Sequence, residues 1–255
     1  MKGNRTKEKR QKIRTRWRSE VRRSRYTFIL LVALISASGV AAQTAPRERV
    51  LIPQEPANLG QLKTRLTAYH DCVPGHGCYT TDLKQQSDLA IGILQRRVAR
   101  KKAGEKLALV LDIDETALSN WDEEKQYDFG YVVSQWDDWV AKEKAPAIDG
   151  TLRLYNEAVK DGVAVFFITG RRTDQETATV DNLKSAGYHD WTGLALRGPH
   201  PASETTSEFK SRERKKIVDA GYKIILNVGD QMSDYNGSSR AEVFVKLPDP
   251  FYFIP

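Results

Sequence analysis

Two aspartates stand two residues apart in Asp112-Ile113-Asp114, at the end of the apolar run Leu107-Ala-Leu-Val-Leu. A second pair, Asp230 and Asp234, follows another apolar run, Lys223-Ile-Ile-Leu-Asn-Val. Thr169 closes Ala164-Val-Phe-Phe-Ile-Thr, and Lys210 opens a helix-period segment before the last of these runs. Alone, each has an ordinary reading, since Asp after a strand is a common turn or N-cap residue and Thr-Gly a common turn. Their joint occurrence, at strand ends or at the helix entering the next strand, is harder to dismiss. If one sheet gathers Asp112, Asp114, Asp230 and Asp234, several carboxylates share a small volume, and burying each one unpaired is costly. Protons or a cation must then offset the charge. An all-oxygen donor set without His or Cys is the kind Mg²⁺ prefers. A hard divalent ion beside a free carboxylate and a lysine handles phosphate. In that chemistry Asp112 attacks phosphorus and Asp114 protonates the leaving oxygen.

The elements that must position these groups follow from periodicity. The short continuous apolar runs read as buried parallel strands, joined by Leu194-Ala-Leu and a last strand over 242–246. Helix-period segments separate them over 151–160, 175–186 and 210–220, and Gly162, Gly187 and Gly221 stand where glycine ends a helix. The alternation predicts an α/β fold, a doubly wound and mainly parallel sheet, whose sites form at the carboxyl ends of the strands. Two further helices, over 59–70 and 81–102, predict an N-terminal helical extension packed on this domain.

The net charge of +7 is unevenly placed. Residues 1–25 hold twelve Lys/Arg and two Glu, which leaves the rest of the chain at −3. The folded part is therefore mildly acidic, and nucleic acid is not an expected partner. The basic run precedes an uncharged apolar stretch, 26–35, and small residues up to Ala42. This predicts a signal peptide over 1–42 with an extended basic n-region, then a proline-containing linker over 43–57. Cleavage would give an exported protein, periplasmic or secreted, with no permanent membrane span. An uncleaved signal anchor is the alternative, which Ser36, Ser38 and Gly39 weaken. Cys72 and Cys78 close a tight Pro/Gly loop and read as a local disulfide in preference to a Cys/His metal cluster with His70 and His76.

Asp112-Ile-Asp-Glu-Thr-Ala-Leu-Ser-Asn120 resembles the first motif of the haloacid-dehalogenase (HAD) hydrolases, in the form found in class B and class C acid phosphatases of bacterial type. Phe167-Ile-Thr-Gly-Arg171 is similar to their second motif, Phe209-Lys-Ser to the third and Gly229-Asp-Gln-Met-Ser-Asp234 to the fourth. The likeness runs from about Asn58 to Pro255, with the four motifs in order. It implies a HAD-like domain over 58–255 and hydrolysis of phosphate monoesters through an aspartyl-phosphate intermediate. Asp112 would be nucleophile and metal ligand. Asp114 would be general acid and base, with its backbone carbonyl on Mg²⁺. Thr169 would hydrogen-bond the phosphoryl oxygens, Lys210 would offset charge, and Asp230 and Asp234 would hold the metal. Leu194-Ala-Leu-Arg-Gly-Pro departs from the family pattern by an extra glycine before the proline.

The segment 118–148 would form a small cap over the site. It is rich in aromatics, Trp121, Tyr127, Phe129, Tyr131, Trp136 and Trp139, whose ordinary role is a mini-core for the cap. One or two rings would then be left to stack on a substrate, with Trp121 the first candidate because it follows the first motif. Gly170 and Arg171 are further candidate substrate contacts. The expected partner is a small phosphomonoester, nucleoside monophosphates among the candidates. Transfer of phosphate to an alcohol, and a non-enzymatic storage or phosphate-binding role, are the alternatives.

Overall fold

The computed structural model describes residues 54–201 and 203–254. The signal-like segment 1–42 and linker residues 43–53 lie outside the described residues. Five parallel strands form one sheet: β1 (Lys106–Leu111), β2 (Ala164–Arg172), β3 (Gly193–Arg197), β4 (Tyr222–Gly229) and β5 (Val243–Lys246). Their spatial order is β3-β2-β1-β4-β5, so β1 is central and the chain leaves it first to one side, then to the other.

Strand β1 shows why an unbroken apolar run belongs in the middle. Leu107, Leu109 and Leu111 enter one core, shared with Leu83, Ala90 and Leu94 of α2 (Tyr79–Val98) and with Leu154, Tyr155 and Ala158 of α5 (Asp149–Lys160). Leu183 of α6 (Glu176–Ser185) joins that face. Ala108 and Val110 point the other way, toward Phe209 and Ile217 of α7 (Thr206–Asp219). Alternate residues of one strand thus serve two helical layers, and neither face is left for polar side chains.

Helix α1 (Leu59–His70) is capped by the Asn58 side chain, which accepts from Gln61 N–H at 3.2 Å. The Cys72–Cys78 disulfide closes the turn from α1 into α2. The two sulfurs are bonded to each other, which excludes the metal-cluster alternative. Helix α2 stops at Val98, short of the expected 102, where its buried positions run out. Helix α7 starts earlier than the expected Lys210. Thr205 and Glu208 form a capping box: the Thr205 hydroxyl accepts from Glu208 N–H, and the Glu208 carboxylate accepts from Thr205 N–H. The expected cap segment contains α3 (Trp121–Gln126) and α4 (Val133–Ala141). It is pinned at its base where Ser119 N–H donates to Pro146 O and Ile148 N–H to Ala117 O, both at 2.9 Å. Among the described residues no helix is long and apolar enough to cross a membrane.

Helices α2 and α5 pack closely at Gly150. A Cβ there would lie 2.2 Å from Ser87 Oγ and 2.6 Å from Ser87 Cβ. Gly150→Ala is expected to cost about 1–3 kcal/mol of stability by overpacking, read as a lower urea midpoint. Adding Ser87→Gly should recover most of the loss, less about 1 kcal/mol for a glycine inside a helix. A Gly150→Ala protein as stable as the parent would refute the close approach.

Candidate active site

In-register parallel pairing brings the carboxyl ends of β1, β2 and β4 together. Leu111 pairs with Phe167 on one side and Val228 on the other, so Asp112, Thr169 and Asp230 emerge side by side. Asp112 extends the ladder by one bond, its N–H donating to Val228 O at 3.1 Å. Lys210, from α7, donates to Asp112 Oδ1 at 2.7 Å and also to Asp234 Oδ1. All four of Asp112, Lys210, Asp230 and Asp234 are buried. Oxygens of Asp112, Asp230 and Asp234 lie within 4.8 Å of one another. Burial pushes Asp112 well above the usual carboxylate range, with Lys210 pulling it back down and the other aspartates adding to the rise. Asp230 is raised by burial first and by the charge of Asp234 second. For Lys210, burial disfavours the charge, but Asp112 and Asp234 more than reverse it and hold the ammonium above its ordinary value. With all three carboxylates ionised against one ammonium, two negative charges remain, the amount that one divalent cation would offset. The donors are all carboxylate oxygens, so the set fits a hard divalent cation.

Several neighbours hold these groups in place. Gly229 has no room for a side chain, because a Cβ would lie 2.3 Å from the Asp234 carboxylate. Asn227 Nδ2 donates to Asp234 O at 2.7 Å. The fully buried Arg214 donates to the carbonyls of Asp234, Tyr235, Asn236, Ser238 and Ser239, fixing the turn that carries Asp234. Thr116 Oγ1 donates to Asp230 Oδ1 at 3.2 Å, and Gln231 Nε2 donates to Asp230 Oδ2 at 2.8 Å and to Asp249 Oδ2 at 2.6 Å. Gln231 thereby ties the C-terminal tail to the carboxylate cluster.

Asp114 is separate from that cluster. Arg171 Nε donates to Asp114 Oδ1 at 3.0 Å and Oδ2 at 3.2 Å, and its Nη2 donates to Oδ1 at 2.7 Å. Asn120 Nδ2 adds a bond to Asp114 Oδ1 at 3.0 Å and another to Glu115 Oε2 at 2.8 Å. Asn120 Oδ1 in turn accepts from Trp139 Nε1 at 2.8 Å, which links the acid to the cap. Glu115 sits at φ 52°, where the chain turns away from the strand. Thr169 is fully buried and accepts from Arg171 N–H at 3.1 Å, which leaves its own O–H free to donate.

These groups open into a cavity of about 1010 Å³. Asp112, Asp114, Gly170, Arg171 and Lys210 line it, together with aromatics from the cap and the tail. Trp121 does not. Its ring stacks on His70 at 3.6 Å between centroids and packs on Phe251 at 5.0 Å. The first candidate for stacking on a substrate is therefore part of the mini-core, and Tyr131, Trp136 and Phe253 present rings to the cavity instead. Arg171, expected to touch substrate, commits its guanidinium to Asp114. Sequence reasoning missed Asn120, Arg214 and Gln231, polar residues whose only signal was their place inside or beside the four motifs.

Glu123 and Glu124 also line the cavity, each with one buried oxygen that has no partner. Burial, then the charge of Glu123, lifts Glu124 from 4.5 to about 8. Below 4.5 both folded and unfolded chains hold that proton. As pH rises to about 8 the unfolded chain releases it and the folded chain retains it, so stability falls across this window. Glu124→Gln should flatten the fall. Urea midpoints in EDTA at the two ends of the window check this, and an unchanged slope would show that Glu124 is not the group responsible.

Comparison with known proteins agrees with this geometry. The family described as "HAD superfamily, subfamily IIIB (Acid phosphatase)" matches residues 41–255. Acid phosphatase 1 of Solanum lycopersicum is 41% identical over 148 residues, 57% of this chain and 58% of that protein. The Stem 28 kDa glycoprotein of Glycine max is 39% identical over 154 residues, 58% of this chain and 61% of its own. The match thus spans about three-fifths of these relatives' length. The class C acid phosphatase from Bacillus anthracis, solved with tungstate bound, superposes with a TM-score of 0.60 at 25% identity, over 75% of this chain and 86% of that one. With its parallel sheet, its carboxylates at the strand ends and a family match over most of its length, the chain belongs to the acid phosphatases of HAD subfamily IIIB.

Proposed function

We propose that this protein hydrolyses phosphate monoesters through a phosphoryl intermediate on Asp112, with Mg²⁺ as its cofactor. The observation that carries the reading is the pairing of two differently supported carboxylates in one cavity. Asp112 is held by Lys210 beside Asp230 and Asp234, and Asp114 is held apart from them by Arg171. Asp112, Asp230 and Asp234 would hold the metal ion, with the Asp114 backbone carbonyl as a further ligand. Bound there, Mg²⁺ supplies positive charge to the phosphoryl oxygens and relieves repulsion among the carboxylates.

The chain's own residues supply the rest. An Asp112 oxygen attacks phosphorus while Lys210 offsets charge on both the nucleophile and the transferring group. The ester P–O bond breaks as Asp114 gives its proton to the leaving oxygen. Asp114, now a carboxylate facing Arg171, takes a proton from water, whose oxygen attacks phosphorus and frees Asp112 and inorganic phosphate. Thr169 accepts from Arg171 N–H and has its hydroxyl proton left for a phosphoryl oxygen. A storage or sensing role would call for a defect in the nucleophile, the acid or the cation site, and all of these residues are in place. The Cys72–Cys78 disulfide supports export, because such bonds persist in oxidising compartments.

A phosphomonoester assay tests the reading directly. EDTA should abolish turnover and Mg²⁺ restore it, and Asp112→Asn should lose at least about a thousandfold in kcat with its circular dichroism unchanged. Turnover by Asp112→Asn at the parent rate would sink the mechanism.

Arg171 is a positioning residue in this scheme, and leaving-group dependence isolates its effect. Arg171→Lys keeps a charge but loses the forked contact with Asp114. It should lower kcat for an alkyl phosphate by about tenfold or more while p-nitrophenyl phosphate is affected much less, because its leaving oxygen needs little protonation. Equal losses on both substrates would remove Arg171 from the support of Asp114.

A further inference from the structure

The cavity is far larger than a phosphoryl group and reaches the size that encloses a drug-sized molecule. Three arginines line it, and two are neutralised. Arg171 is bound to Asp114, and Arg172 to Asp137 and Asp174. Arg197 is different. It has no carboxylate within ion-pair distance among the described residues. Its Nη1 donates to Thr206 Oγ1 at 3.2 Å and its Nη2 to the Glu204 carbonyl. Its Nε is buried without a partner. The nearby Glu204 carboxylate gives one oxygen to Arg212 and leaves the other buried without a partner, and neither oxygen is within ion-pair distance of Arg197. Burial and then the charge of Arg212 push the Arg197 guanidinium below its ordinary value, so its surroundings disfavour the charge it carries.

A guanidinium has five N–H donors, and Arg197 is half-buried, with its Nε wholly out of solvent and unpaired. Here two of the five are used, both by neutral oxygens. The phosphoryl group is not the obvious partner for the rest. Arg197 ends β3, two strand positions from β1 and Asp112, a lateral separation of about 10 Å at the usual strand spacing. The neighbouring cavity wall, Gly198, Pro199 and His200, is the stretch where the sequence carries an extra glycine before the proline.

We propose that Arg197, with Thr206 and His200 beside it, binds a second anionic group on the leaving group of the substrate. The preferred substrates are then phosphomonoesters that carry a further oxyanion, carboxylate or phosphate, about two strand spacings from the scissile ester. The inference rests on the phosphomonoesterase reading above and adds the substrate class.

The test compares alkyl phosphates with ω-carboxyalkyl phosphates and α,ω-alkanediol bisphosphates over a series of matched lengths. In at least one length, kcat/KM for an anionic ester should exceed that of its neutral counterpart by about tenfold to a hundredfold, chiefly through KM. The carboxylate and phosphate arms show which oxyanion is taken. Arg197→Gln should collapse the ratio, whatever loss the two substrates share, and Arg197→Lys should retain part of it. No anionic preference at any length in the unmodified protein overturns the proposal, as does a preference that Arg197→Gln leaves intact. If Arg197→Gln does not fold, Thr206→Val, which removes the hydroxyl that holds the guanidinium, should reduce the ratio in its place, and an unchanged ratio overturns the proposal. If no ester is turned over, the phosphatase reading has failed by itself. Calorimetric titration of the same anionic and neutral esters into the unmodified protein then decides the Arg197 site: tighter binding of the anionic member supports it, and equal binding overturns it.

Discussion

Lys210 reaches two aspartates at once, Asp112 and Asp234, in a volume from which solvent is nearly excluded. Placing three carboxylates there is costly, because each loses its hydration and repels the others. One ammonium offsets only part of the charge. The parallel sheet brings the cluster together, since β1 and β4 are neighbours and an aspartate directly follows each of them. The remainder of the site can be understood as what is needed to hold such groups still.

Buried polar connectors do most of that holding. Among the described residues Arg214 pairs with no carboxylate and binds a series of carbonyls, so it acts as a backbone brace behind Asp234. Asn120 joins Asp114, Glu115 and the cap through three separate bonds. Gln231 joins Asp230 to the tail. Such groups are favourable only when their donors and acceptors are matched, and that requirement gives the site a single arrangement. It also gives the two carboxylates different surroundings. Asp112, the nucleophile of the proposed mechanism, lies among its own kind beside a lysine, whereas Asp114, its proposed acid, lies against an arginine and an amide.

The wall of the cavity is less uniform. Cap and tail contribute rings, the end of β3 contributes a cation, and α3 contributes carboxyl groups with unpartnered oxygens. An apolar body with few polar groups fixes orientation in most small-molecule sites. On the proposed reading the cap, the tail and the end of β3 would set which leaving group enters, while the sheet would position the groups that act on its phosphate.

The alternation of apolar runs and helical periods was legible in the chain itself, because each is a property of contiguous residues with a fixed repeat. So were the aspartates at the strand ends and the Cys72–Cys78 loop. The four motifs pointed to the family that the comparison with known proteins then showed. Helix starts were read less well: Thr205 and Glu208 carry a capping signature that places α7 four residues ahead of Lys210. Partner choice was beyond the sequence. Arg171 and Asp114 are 57 residues apart and meet only because β2 lies beside β1. Trp121 has the same ring chemistry as Trp136, yet one is sealed against His70 and Phe251 and the other borders the cavity. Residue type and spacing determined which groups could do chemistry. Strand order and packing decided which of them face one another, because pairing across a sheet depends on the order of strands in space and not on distance along the chain.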